Sequence, residues 1–155
     1  MNMSRLSKAT LLLATVAFLA SCGGESKPEE KKETSSQDEI RLKQYMVAGE
    51  KLYGTYCANC HQPDGKGLAA LYPPLAASDY LFENFARAAC IVKNGQFKEI
   101  EVNGVKFNQM MPANPITNIE IAQVLTYVTN SWGNEAGLIS VRDVDEWIDE
   151  CEEGL

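Results

Sequence analysis

The stretch Cys57-Ala58-Asn59-Cys60-His61 decides how the rest of this chain is read. Two thiols stand three positions apart and an imidazole follows directly. His61 is the sole histidine among 155 residues, so no site that needs two imidazoles can be built. That excludes most multi-histidine metal centres. A thioredoxin-like redox pair needs a βαβ context, and no strand pattern precedes Cys57. A zinc site wants four ligands at tetrahedral spacing, and the sequence has no second close Cys/His pair.

The pattern C-x-x-C-H is an attachment signature for c-type haem. Thiols at this spacing can add to the two vinyl groups on one side of a porphyrin. The next residue then lies over the metal, and its imidazole can bind iron from the proximal side. The opposite face needs a sixth ligand, and without a second histidine a thioether is the natural choice. Met46, Met110 and Met111 are the candidates. Met46 falls among core-type residues of the preceding helix, where a methionine usually packs. Met110-Met111-Pro112 comes fifty residues after His61, in a loop that can close over the other haem face. Pro112 restricts the residue before it to extended backbone, which favours Met111 over Met110 as ligand. The alternative for both is a hydrophobic lid. A His/Met pair raises the potential and leaves no open position for a substrate.

Outward from this motif the chain reads as mainly helical. Leu42, Tyr45, Met46, Gly49, Leu52, Tyr53 and Tyr56 recur at steps of three and four, which predicts an amphipathic helix over 39–56. Residues 57–74 read as a loop rich in Gly and Pro, long enough to need something filling the space it encloses. Ser78 caps an expected helix from Asp79 to Val92, stopped by Asn94-Gly95. Apolar residues alternate on either side of Asn103-Gly104 between Ile100 and Phe107, a strong hairpin signal. Thr117 and Glu120 form a capping box for a helix with the face Ile121, Val124, Leu125, Val128 and Trp132, ended by Gly133. A last helix is expected from Ser140 to Glu152.

The N-terminus reads as an address. Arg5 and Lys8 precede an apolar run from Ala9 to Ala20. Twelve helical residues span about 18 Å, short of the roughly 30 Å hydrocarbon core, so residues 1–21 read as a secretion signal rather than a membrane span. The run ends in Leu19-Ala20-Ser21-Cys22, which resembles the bacterial lipobox. That resemblance implies cleavage before Cys22 and acylation of its thiol and new amine. Residues 23–38 hold eight charges and no aliphatic or aromatic side chain, so 22–39 reads as a lipidated cysteine and flexible tether. Its typical reach is about 20–24 Å. The folded part begins near Ile40. The lipobox resemblance implies a location in a bacterial cell envelope, lipid-anchored and facing the periplasm.

Composition narrows the partners. Lys and Arg total 14 against 21 Asp and Glu, a net charge of −7, which lacks the cationic footprint of a nucleic-acid binder. The length and a 45% hydrophobic content suit one soluble domain.

Residues 40–133 resemble a class I cytochrome c, a small monohaem electron carrier. Cys57, Cys60 and His61 match its haem motif. Gly49-x-x-x-Tyr53 resembles the first-helix pair that meets the last helix of that fold, with Val124 and Tyr127 in the matching last-helix positions. Tyr72-Pro73-Pro74-Leu75 resembles the segment whose proline carbonyl accepts the Nδ1–H of the ligand histidine, with Pro73 preferred over Pro74. Residues 102–112 and 127–134 resemble the branch found in membrane-bound respiratory electron donors. The resemblance implies a class I cytochrome c fold with a small β-hairpin, and residues 134–155 as an extra helical extension packed on it. It also implies one covalently bound haem c.

Five cysteines then divide as one lipidated (Cys22), two on haem (Cys57 and Cys60) and two left over. In an oxidising compartment Cys90 and Cys151 are expected to form a disulfide, the alternative being two buried thiols. The leading functional expectation is a non-enzymatic, lipid-tethered electron carrier without a small-molecule substrate. Its partner would be a respiratory redox protein such as a terminal oxidase or a cytochrome reductase. Competing expectations are a dedicated haem subunit of a periplasmic nitrite reductase or alcohol dehydrogenase, a haem-based ligand binder, and a thiol-redox lipoprotein without haem.

Overall fold

A computed structural model describes residues 36–151, all within one compact unit. The signal segment, Cys22 and the tether up to residue 35 lie outside the described residues. In chain order the elements are α1 (Ser36–Tyr56), α2 (Ala58–His61), α3 (Asp79–Glu83), α4 (Phe85–Asn94), β1 (Ile100–Val102), β2 (Val105–Phe107), α5 (Asn118–Val128) and α6 (Val141–Asp149).

Helix α1 starts at Ser36, three residues before the predicted point and inside the segment read as tether. Its first turn carries Asp38 and Glu39, whose charges suit the positive end of a helix. Tyr45, Gly49 and Tyr53 form its buried stripe at four-residue steps. The stripe lies against α5. At Gly49 a Cβ would come within 2.1 Å of the Gln123 carbonyl oxygen and 2.7 Å of the Tyr127 Cβ. Two helices cross this closely only where one side chain is absent. The close contact falls on Gln123 and Tyr127, while Val124, one position along, lines the cavity described below.

The stretch between Cys57 and Pro74 is not wholly loop. His61 N–H donates to the Cys57 carbonyl at 3.0 Å, winding α2 as a single helical turn. The single helix expected over 79–92 is two. Asn84 adopts extended backbone, and its side-chain oxygen accepts from Arg87 N–H at 2.9 Å, so it ends α3 and caps α4 in one position. Ser78 caps α3 by accepting from Leu81 N–H.

The hairpin pairs Ile100 with Phe107 and Val102 with Val105. Asn103 and Gly104 both hold positive φ, 51° and 76°, as a two-residue turn of this hand demands. Glu120 opens α5 by accepting from both the N–H and the hydroxyl of Thr117, at 2.8 and 2.7 Å. That helix stops at Val128, short of Trp132. The Asn134 side chain takes the Val128 carbonyl, and the Asn130 side chain takes those of Thr126 and Gly137, so side chains replace the next helical turn. Trp132 lies beyond the helix with φ of 56°.

Helix α6 is capped reciprocally by Ser140 and Asp143 and packs Val144, Trp147 and Ile148 on the core. A disulfide joins Cys90 in α4 to Cys151 just past α6, with Cα atoms 5.7 Å apart and a sequence separation of 61. Among the described residues the fold is therefore mainly α, with one two-stranded antiparallel sheet.

Candidate haem site

The turn α2 builds one side of the site. Cys57 is its N-cap position, Cys60 lies three residues on and His61 four, so all three emerge along one helix face. Neither cysteine is in a disulfide, and both are half-buried. Burial, and then the neighbouring Cys60, push the Cys57 thiol, before any attachment, up to about 11. His61 is buried, and its Nδ1 lies 3.0 Å from the Pro73 carbonyl oxygen. A carbonyl only accepts, so Nδ1 carries the proton and the lone pair stays on Nε2. Burial holds the ring below the ordinary imidazole value, against the opposing pull of that hydrogen bond. The ring is thus neutral and oriented, as a metal ligand must be.

The loop after His61 is held by aromatic packing. Tyr53, Tyr127 and Trp132 form a cluster with ring centroids 5.1–5.6 Å apart. Tyr53 hydroxyl donates to the Gln62 carbonyl, and Trp132 Nε1 donates to that of Pro63 at 3.2 Å. Gly65, with φ of 67°, passes beneath the indole so closely that a Cβ would lie 2.4 Å from it. Its carbonyl accepts from Leu75 and Ala76 N–H at 2.7 and 2.9 Å, which sets the Pro73 segment against the histidine. Asn134 ties the same segment to the end of α5, accepting from Ala77 N–H and donating to the Leu75 carbonyl.

His61 and Cys57 face a cavity whose non-atom space, mouth included, is about 770 Å³. Its walls are overwhelmingly apolar, among them Leu81, Ile91, Val102, Val124 and Leu125. Met111 lies on the wall of this same cavity. Met110 is 54% exposed and Met46 is not part of the wall, so the structure brings one of the three methionines to the site. Met111 is fixed by an isolated antiparallel bridge with Gln96. Gly95 makes the bridge possible, because a Cβ there would lie 2.8 Å from the Met111 carbonyl oxygen.

Two wall residues escaped the sequence reading. Arg87 is the charged side chain of the lining; its guanidinium stacks 3.6 Å over the Tyr80 ring and pairs with Glu83 at 3.0 Å. Gln96 is buried in the wall. Neither belongs to a motif, and the four-residue spacing of Glu83 and Arg87 signals only a surface pair. The donor set and the cavity fit a haem. The Cys57 thiol, a neutral imidazole, a thioether and the Arg87 guanidinium line one apolar space, and Cys60 follows three positions after Cys57 on α2.

Residues 46–132 match the cytochrome c family. The chain is 35% identical over 91 residues to cytochrome c-552 of Thermus thermophilus, covering 56% of this chain and 69% of that protein. It is 31% identical over 107 residues to the cytochrome c subunit of the quinone alcohol dehydrogenase of Gluconacetobacter polyoxogenes, covering 66% of this chain and 23% of that subunit. The corresponding subunit from Gluconobacter oxydans is 30% identical over 103 residues, with 21% of its length covered. The chain thus spans less than a quarter of the length of the dehydrogenase subunits. It belongs to the cytochrome c family, and its cofactor is covalently bound haem c.

Proposed function

We propose that this protein is a membrane-tethered, monohaem electron carrier of the bacterial cell envelope, and not an enzyme. Haem c supplies a one-electron couple at its iron. Cys57 and Cys60 would hold the group by thioether links, and His61 and Met111 would bind its iron. Pro73 fixes the tautomer of His61 by accepting its Nδ1–H. Arg87 would offset the charge of the haem carboxylates, and the apolar wall would keep water from the iron. The observation that carries this reading is the presence of His61, hydrogen-bonded to Pro73, and Met111 on the walls of one apolar cavity.

The lipobox-like Cys22 supports an acyl anchor, and the charged segment after it supports a flexible tether to a domain that faces the periplasm. Residues 134–155 extend the cytochrome domain, and α6 packs on its core. The partner is a respiratory redox protein, such as a terminal oxidase or a cytochrome reductase. The acidic surface suits a basic patch on that partner, which would set the association rate and its salt dependence. A second reading is a dedicated haem subunit of an oxidoreductase complex, favoured by the likeness to the alcohol dehydrogenase subunits.

Spectra of the haem-loaded protein test the site. Iron–thioether ligation gives a weak long-wavelength band in the ferric state. Loss of this band in Met111→Ala, with retention in Met110→Ala, is the expected result. Rapid binding of carbon monoxide by the reduced wild type would instead show an open sixth position and end the carrier reading. Co-purification with a stoichiometric dehydrogenase would favour the second reading over the first.

A further inference from the structure

Gln96 is a polar residue in an apolar wall, with one atom that nothing satisfies. Its side-chain Nε2 donates to the Lys98 carbonyl at 3.4 Å, while Oε1 is buried without a hydrogen-bond partner among the described residues. Leaving a buried carbonyl oxygen unpaired is costly, and methionine or leucine would fill similar space without that cost.

Its position relative to Met111 is fixed by the backbone. Gln96 N–H donates to the Met111 carbonyl at 2.8 Å, and Met111 N–H donates back to the Gln96 carbonyl at 2.9 Å. Residues that exchange both bonds across an antiparallel bridge stand directly opposite, with side chains on the same side of the ladder. Both residues line the cavity. The amide therefore shares the face that presents the thioether. It brings a partial negative charge that no donor among the described residues neutralises, in surroundings of low dielectric constant where such a charge acts strongly.

We propose that Gln96 sets the redox poise of this cytochrome, its uncompensated amide oxygen favouring the ferric over the ferrous state. The inference rests on the proposed placement of haem c between His61 and Met111. Gln96 donates and accepts no electron; the one electron lost by iron on oxidation passes to the partner redox protein. The amide acts as a fixed dipole whose negative end stabilises the extra positive charge left behind. Gln96 is in this sense a positioning residue for charge and not a ligand.

The test is the midpoint potential of the full haem-loaded chain, measured by spectroelectrochemistry in wild type, Gln96→Leu and Gln96→Glu. Removing the dipole in Gln96→Leu is expected to shift the ferrous-to-ferric ratio about tenfold toward ferrous at a fixed potential, a rise of about 59 mV for one electron. Gln96→Glu adds negative charge and is expected to move the potential down. The long-wavelength ferric band reports whether Met111 still binds iron. With that band intact in Gln96→Leu, an unchanged or lowered potential overturns the proposal, because it means that a water or another donor already neutralises Oε1. If the band is lost in Gln96→Leu, Gln96→Glu decides: a lowered potential supports the proposal, and an unchanged or raised one overturns it. A wild type that lacks the band defeats the ligand reading instead, while the sign of the two shifts still decides the role of Gln96.

Discussion

Gly65 shows how a single side chain, by its absence, holds His61 in place. Its positive φ and the indole lying across it leave no room for a Cβ. Gly65→Ala is expected to loosen the loop that carries the Pro73 carbonyl. The haem-loaded variant should show a lower thermal midpoint and a midpoint potential displaced from wild type, because the imidazole is less firmly oriented. Wild-type values of both would mean that the Pro73 segment is held by other contacts. Glu120 belongs to this scale too. Hydrogen bonds from Thr117 hold its carboxyl below the ordinary carboxylate range. A depressed folded value contributes stability that is present above the unfolded value, about 4.3, and is lost as pH falls through the folded one. Glu120→Gln should therefore lose less stability than wild type when urea midpoints are compared at pH 7 and pH 3. Equal losses would show that the cap is not sensitive to charge.

Elements are fixed by their crossings and their ends. The contact of α1 with α5 at Gly49 positions Cys57, because α1 leads directly into the turn that bears it. Gly49→Ala forces a Cβ into the Gln123 carbonyl, and overpacking of this kind costs about 1–3 kcal/mol. Chemical denaturation of the haem-loaded protein would register it, together with reduced haem incorporation; wild-type stability would refute the tight crossing. Asn84 separates α3 from α4. Asn84→Ala removes the cap of α4, at about 1 kcal/mol, and allows the two helices to merge. The repeat of apolar residues from Leu81 to Val92 predicts one helix, because periodicity does not register a break that preserves the buried face. The end of α5 was hidden for the same reason. Trp132 continues the apolar spacing, yet it packs on Gly65 from outside the helix.

At the scale of the whole molecule, the Cys90–Cys151 disulfide ties the last helix to α4, whose next residues, Ile91 and Val92, form cavity wall. Replacing both cysteines with alanine is expected to cost about 2–5 kcal/mol, read from denaturant midpoints. Haem content should be retained if the domain of residues 40–133 folds around its cofactor. Thiol titration of the denatured, unreduced protein should find none from this pair, and two labelled thiols would refute the bond in the mature chain.

The sequence by itself determined the chemistry of the site and the class of the fold. Cys57, Cys60 and His61 form a local pattern whose spacing carries its own meaning, and the capping box at Thr117 and the Asn103-Gly104 turn are likewise complete within four residues. The sequence preferred Met111 and matched Gly49 to the last helix, but only tertiary structure decided that Met111 reaches the cavity, that Gly49 meets the Gln123 carbonyl, and that Arg87 and Gln96 join the wall. Those depend on backbones that lie far apart in the chain and meet only when packed, and spacing along a sequence carries no record of such meetings.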